Sequence, residues 1–309
     1  MGHRPGALAD VVTRVLLTGA AGFIGAHIAR AGIARGLEIT ALTHRSRLDL
    51  PGTHIVQADL TTADLDVIVA VARPEIVING ASYGIGPEER DPERALAVNT
   101  IATQKLLLAA KAAGTRRFIQ LGSYSEYGDH AGTISEDTPL LPKESYGATK
   151  AAASLLVTAP GIAAPVETIV LRLFNVWGPG ERPHRLLQKT IHHCRARTRF
   201  PLTPGTQVKD WAYVGDVAAW TLDIALRDGA YPHAIVNVAS GDRRSVREMA
   251  TLAANAMNGV DLLDFGAVPV PAREVQTGPA DLSRIDALLP NRRVTPLADA
   301  IAATIASTP

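Results

Sequence analysis

One cysteine, Cys194, excludes any internal disulfide, and 309 residues are enough to bury a core without one. An excess of charge is missing as well. With 31 basic against 30 acidic residues there is no general field to draw in nucleic acid, and no Lys/Arg tract is interleaved with aromatics. No segment reaches the roughly 18 consecutive apolar residues of a membrane span, and the opening MGHRPGALADVV holds no apolar stretch of signal-peptide length. These absences predict a cytoplasmic protein without nucleic-acid or membrane partners, in which any anionic ligand is held locally. Internal repeats and low-complexity tracts are not evident either.

What is present is a rhythm. Short apolar runs rich in β-branched residues recur at Arg14 to Thr18, Glu38 to Leu42, His54 to Ala58, Glu75 to Asn79, Arg117 to Leu121, Glu167 to Leu173 and Ala234 to Val238, with helical patterns between them. Strands buried on both faces read as nearly continuous hydrophobic stretches, so the pattern predicts an α/β fold: a Rossmann-type doubly wound parallel sheet. After Leu173 the rhythm loosens into "WGPGERP" and "FPLTPGTQ", read as loops of a smaller C-terminal substrate-binding lobe. The expected division gives residues 1–178 to a dinucleotide-binding domain, with 213–240 returning to it. Residues 179–212 and 241–309 form the second lobe.

The stretch "VLLTGAAGFIGAHIA" places Gly19, Gly22, Phe23, Ile24 and Gly25 between a strand and a helix. Small residues there allow a tight turn and close approach of backbone to a pyrophosphate, while the helix N-terminus offers free N–H groups to anionic oxygens. An acidic ribose clamp is expected at the end of the second strand, yet that place reads His44, Arg45, Ser46. A guanidinium grips a 2′-phosphate where a carboxylate would repel it, which favours NADP(H), with NAD(H) as the alternative. Asp59 and Leu60, closing the third strand, are placed to meet the adenine.

In "SYGATK", Tyr146 and Lys150 lie four positions apart on one helical face, close enough for an ammonium to influence a phenol. Taken alone, such a pair reads as an ordinary solvated helix face. Some twenty residues earlier "FIQLGSYSEYGD" runs an apolar strand into Ser123, Tyr124, Ser125 and Glu126, and the carboxyl ends of parallel strands line the ligand crevice. His192, His193 and Cys194 are consecutive and point about 100° apart on a helix, so no metal site is expected. The three tryptophans are read as packing residues.

With "TGAAGFIG", the Ser/Tyr/Lys set, "AVNTIAT", "LRLFNVWGPG", "KDWAYVGDVA" and "NVASGDRRSV", the chain resembles the extended short-chain dehydrogenases/reductases of the nucleotide-sugar-modifying branch over nearly its whole length. The resemblance implies Ser123 as the catalytic hydroxyl, with Ser125 as the alternative, and Tyr146 as acid/base. It implies that Lys150 holds the nicotinamide ribose and depresses the Tyr146 pKa, and that Asn99 supports the helix or cofactor pocket. Ala81, Ser82 and Phe174 would contact the cofactor; Ser125, Asn175, Lys209 and Arg273 would contact a nucleoside-diphosphate sugar. Lys209 stands where the family has arginine. A homodimer through two helices of the first lobe is a further implication.

Dehydratases of this branch carry an Asp-Glu pair directly after the catalytic hydroxyl, where this chain has Tyr124 and Ser125. The expected activity is therefore NADPH-dependent reduction of a nucleoside-diphosphate 4-keto-6-deoxyhexose. A nucleotide-sugar 4-epimerase with tightly held NAD is the alternative within the class, and a non-catalytic ligand-sensing protein the alternative outside it.

Overall fold

The computed structural model describes residues 12–46, 48–270 and 278–308. The chain begins β1 (Arg14–Thr18), α1 (Phe23–Ala34), β2 (Glu38–Thr43), β3 (Thr53–Gln57), α2 (Leu65–Ala72) and β4 (Ile76–Asn79). Next come α3 (Pro92–Leu96), a π-helical segment (Ala97–Ile101), α4 (Ala102–Ala112), β5 (Arg117–Ser123), a 3₁₀ turn (Tyr124–Glu126), α5 (Ser145–Thr158), α6 (Pro160–Ala163) and β6 (Glu167–Leu173). The second lobe opens with β7 (Val176–Trp177), α7 (Leu186–Ala196), β8 (Phe200–Leu202), β9 (Val208–Asp210) and β10 (Ala212–Tyr213). After α8 (Val214–Leu226) and β11 (Ile235–Val238) follow β12 (Arg243–Ser245), α9 (Val246–Asn255), β13 (Leu263–Phe265), α10 (Ser283–Leu288) and α11 (Leu297–Ser307).

Seven strands form one parallel sheet in the order β11-β6-β5-β4-β1-β2-β3. β4 and β5 are buried at every position, which is why their sequences read as largely apolar runs, whereas edge strand β3 leaves three of its five residues exposed. On one face α1 and α8 pack through Ile28, Ala29, Val217 and Leu222; on the other α2, α4 and α5 pack through Val69, Leu106, Leu107 and Val157. The sheet order reverses between β1 and β4, and parallel sheets of this kind open a crevice at that point, beyond the carboxyl ends of the strands.

The second lobe has its own core of Trp177, Leu187, Trp211, Met249, Ala253 and Ile301, with α7 against α9. Its strands pair only in twos. All three tryptophans are buried, Trp220 in the first core. Among the described residues no helix is long and apolar enough to cross a membrane, and no three His, Cys, Asp or Glu side chains cluster as metal ligands.

Candidate active site

At the end of β1 the chain turns at Gly19, whose φ of 67° is left-handed, and Gly22 caps α1 while donating its N–H to the Gly19 carbonyl at 2.9 Å. No side chain fits inside this turn. A Cβ on Gly19 would lie 2.7 Å from the Ala81 nitrogen, and one on Gly25 would lie 2.1 Å from the Gly19 oxygen. Helix α1 therefore presents its first N–H groups without a side-chain cap at the floor of a cleft of about 620 Å³. That tightness and those free donors fit a dinucleotide pyrophosphate.

Gly19, Gly22, Phe23, Ile24 and Gly25 line the middle of this cleft together with Ala81 and Ser82. One end is lined by His44, Arg45, Ser46, Asp59 and Leu60, the other by Ser123, Ser125, Tyr146, Lys150 and Asn175. Arg45 and Ser46 are exposed. Asp59 accepts from Arg94 Nη2 at 2.7 Å and from the Thr61 nitrogen and hydroxyl at 2.9 and 2.8 Å, with His44 Nε2 at 3.3 Å. Burial disfavours its charge, but the bonds from Arg94 and Thr61 prevail and hold the carboxyl well below the usual carboxylate range.

The chemistry end is assembled from three elements. Ser123 is the last residue of β5; its Oγ lies 2.8 Å from Ser125 Oγ and accepts the Ser125 N–H at 3.2 Å. Tyr146 occupies the first turn of α5 and lines the same end of the cleft as Ser123. One turn on, Lys150 is 2% exposed and donates to the Leu121 carbonyl of β5. Burial pushes the Tyr146 phenol above its ordinary value, the Ser123 side chain pulling it back in part. Burial also lowers the Lys150 ammonium to about 8, opposed by the charge of Glu126.

Two expectations are corrected here. The predicted depression of the Tyr146 pKa by Lys150 does not appear: removal of the phenol from water prevails, and the ammonium is bound to the Leu121 carbonyl instead. Phe174, expected to contact the cofactor, is 1% exposed beneath the cleft wall, its ring stacked 5.6 Å from that of Tyr124.

Asn99 stands in the π-helical segment, behind the cleft. Its Nδ2 donates to Thr149 Oγ1 of α5 at 2.9 Å and to the Tyr83 carbonyl at 2.8 Å, tying α5 to the loop after β4. Lys209 is on β9, paired opposite Arg244 of β12, and is not among the residues lining the cleft. Arg273 lies outside the described residues. The second lobe brings Arg182 and Arg185 to the cleft instead, Arg182 bonded to Glu88 and Glu89 at 3.2 and 3.0 Å and Arg185 to the buried Glu181 at 3.1 Å. Asn175 Nδ2 is a buried donor with no hydrogen-bond partner among the described residues. Arg94 and Arg182 escaped sequence reading because each acts through partners from other parts of the fold, and Glu181 and Arg185 because an i,i+4 ion pair reads as an ordinary charged stretch.

A glycine cradle at the switch point of a parallel sheet, with Ser123, Tyr146 and Lys150 at one end of the same cleft, defines a dinucleotide-dependent oxidoreductase of the short-chain dehydrogenase type. The chain belongs to the NAD dependent epimerase/dehydratase family, whose model matches residues 15–239. It is 32% identical to the low-salt glycan biosynthesis protein Agl12 of Haloferax volcanii, over 81% of this chain and 85% of that one. Identity is 28% to the UDP-glucose 4-epimerase of Mycolicibacterium smegmatis, over 94% and 97% of the two chains. It is 30% to the dTDP-6-deoxy-L-talose 4-dehydrogenase (NAD(P)(+)) of Kitasatospora kifunensis, over 86% and 84%. Among solved structures, MoeE5 in complex with UDP-glucose and NAD superposes with a TM-score of 0.81 at 28% identity, covering 96% of this chain and 98% of that one.

Proposed function

We propose that the protein reduces the 4-keto group of a nucleoside-diphosphate 4-keto-6-deoxyhexose, drawing on NADPH. The observation that carries this reading is that Ser123, Tyr146 and Lys150 line the same cleft as the glycine cradle. NADPH, when bound along the cradle, supplies the hydride for the carbonyl carbon. Ser123 Oγ hydrogen-bonds the carbonyl oxygen, and Tyr146 gives that oxygen its proton, completing the alcohol. The phenolate left behind takes a proton back from solvent before the next turnover, while Lys150, bound to the Leu121 carbonyl, holds the strand end that carries Ser123.

Reduction is favoured over elimination because Tyr124 and Ser125 line the cleft directly after Ser123, with no carboxylate at either place. Arg45 and Ser46 at the end of β2 favour NADPH, having chemistry suited to a 2′-phosphate. The anionic part of the sugar nucleotide is assigned to Arg182 and Arg185, and the free Nδ2 of Asn175 is a donor to the substrate. Similarity to the Kitasatospora 4-dehydrogenase agrees with this choice. The epimerase reading is favoured by the 28% identity to the Mycolicibacterium epimerase across nearly all of both chains. Purified protein is incubated with a dTDP-4-keto-6-deoxyhexose, with and without NADPH. Loss of the absorbance of reduced nicotinamide, one equivalent per alcohol formed, is expected; equally fast conversion of a nucleotide sugar without added cofactor would establish the epimerase.

A further inference from the structure

Behind the Ser123 end of the cleft lies a carboxylate that takes no part in the reaction just described. Glu126 is fully buried, with no exposed surface, at the end of the 3₁₀ turn after β5. Its Oε1 accepts the Ser123 backbone N–H at 2.8 Å. Its Oε2 accepts from Ser154 Oγ of α5 and from Arg172 Nε of β6, both at 2.8 Å. Gly122 makes room for it: a Cβ there would lie 2.7 Å from Glu126 Oε1.

We propose that Glu126 is a positioning residue that fixes the Ser123 strand end against the helix carrying Tyr146 and sets a negative charge near the Lys150 ammonium. The proposal rests on the reading that these three side chains carry the proton chemistry. Ser154 is one turn beyond Lys150 and two beyond Tyr146, so one carboxylate ties that face of α5 to the strand end bearing Ser123. Lys150 Nζ is bound at Leu121, two residues before Ser123 on the same strand. Ammonium and carboxylate thus flank one short stretch of β5.

Stability alone is a poor account of this pair. A buried ion pair often adds nothing over apolar residues of the same size, because desolvation cancels the attraction. Here the carboxylate also acts on both titrating groups, opposing the effect of burial on Lys150 and adding to it on Tyr146. The groups that face this side of α5 are few. Glu126 and Tyr124 come from the turn, Arg172 from β6 and Glu89 from the loop after β4, while the π-helical segment presents the neutral Asn99 and Thr100. Arg172, 2% exposed and lying over the Tyr127 ring at 4.6 Å, balances the carboxylate.

The test follows Lys150 itself by NMR of the full chain carrying ¹³C-labelled lysine. Six lysines are present, and the Lys150 resonance is identified by its loss in K150M. In the wild type it should titrate at about 8. In E126Q it should titrate lower by about one unit or more, and the basic limb of kcat/KM should move with it. E126D, which keeps the charge, should leave both near their wild-type positions. Since E126Q strands a buried guanidinium, the double variant E126Q/R172M removes both charges and should show a shift in the same direction but smaller, because the opposing cation is gone as well. A Lys150 titration unchanged in E126Q or the double variant, with kcat lowered evenly at all pH, would overturn the proposal and leave Glu126 a purely structural residue. A wild type that shows the titration and its shift but turns over no nucleotide sugar would uphold the role of Glu126 at Lys150 and overturn the functional reading instead.

Discussion

Glu181 illustrates how a single side chain in the cleft couples to pH. It is 9% exposed, its partner is Arg185 Nε at 3.1 Å, and burial lifts the carboxyl to about 7 from an ordinary 4.5. Folding thereby strengthens proton binding. The stability this confers is complete below 4.5 and is lost as pH rises through 7. E181Q, which cannot ionise, should gain on the order of 2 kcal/mol over the wild type at about pH 8 and nothing at about pH 4. Urea unfolding at the two pH values measures this. An equal effect at both would mean that Arg185 holds the carboxyl at its ordinary value. The Tyr146–Lys150 pair teaches the complementary lesson. Spacing on a helix brought the two side chains into one site, but the direction of the phenol's shift depended on burial, which no four-residue motif records.

At the scale of elements, the turn between β1 and α1 carries a strict steric demand. Because a Cβ on Gly25 would meet the Gly19 oxygen at 2.1 Å, Gly25→Ala has to push α1 away from the strand. Overpacking of this kind costs about 1–3 kcal/mol, so the variant should melt lower, and its affinity for a nicotinamide dinucleotide should fall by at least about tenfold by calorimetry. Unchanged affinity would remove the turn from cofactor binding. This turn and the central strands were legible because their determinants are local. Arg14–Thr18 and Glu167–Leu173 are bounded where the apolar runs are bounded, and the glycine spacing is itself the motif. The contacts that complete the site are not local. Arg172 meets Glu126 across 46 positions and Arg94 meets Asp59 across 35, so no window of sequence contains either pair. In the second lobe, strands of two or three residues are too short to establish a period, and Lys209, chosen by motif position, falls on one of them away from the cleft.

For the whole molecule, the cleft is where two bodies of structure meet: the sheet supplies the cradle and the Ser123 end, and the second lobe supplies Arg182 and Arg185. Arg182 reaches across to Glu88 and Glu89 of the loop after β4, joining the two sides at the cleft. On the outside of the sheet layer, Ile101 and Leu108 at α4 and Leu155 on α5 are 44%, 46% and 63% exposed, and we propose that a second copy of the chain covers them. Sedimentation should give a dimer for the wild type and a monomer for Leu155→Glu. A monomeric wild type would refute that arrangement. The central claim is that hydride and proton meet at one carbonyl beside Tyr146, and transfer of isotope tests it most directly. With NADPH dideuterated at the nicotinamide C4 and a nucleoside-diphosphate 4-keto-6-deoxyhexose, mass spectrometry should find one deuterium on C4 of the product sugar. In Tyr146→Phe that product should form about 10²–10⁴-fold more slowly. A product free of deuterium, or formation at the same rate without the phenol, would contradict the account.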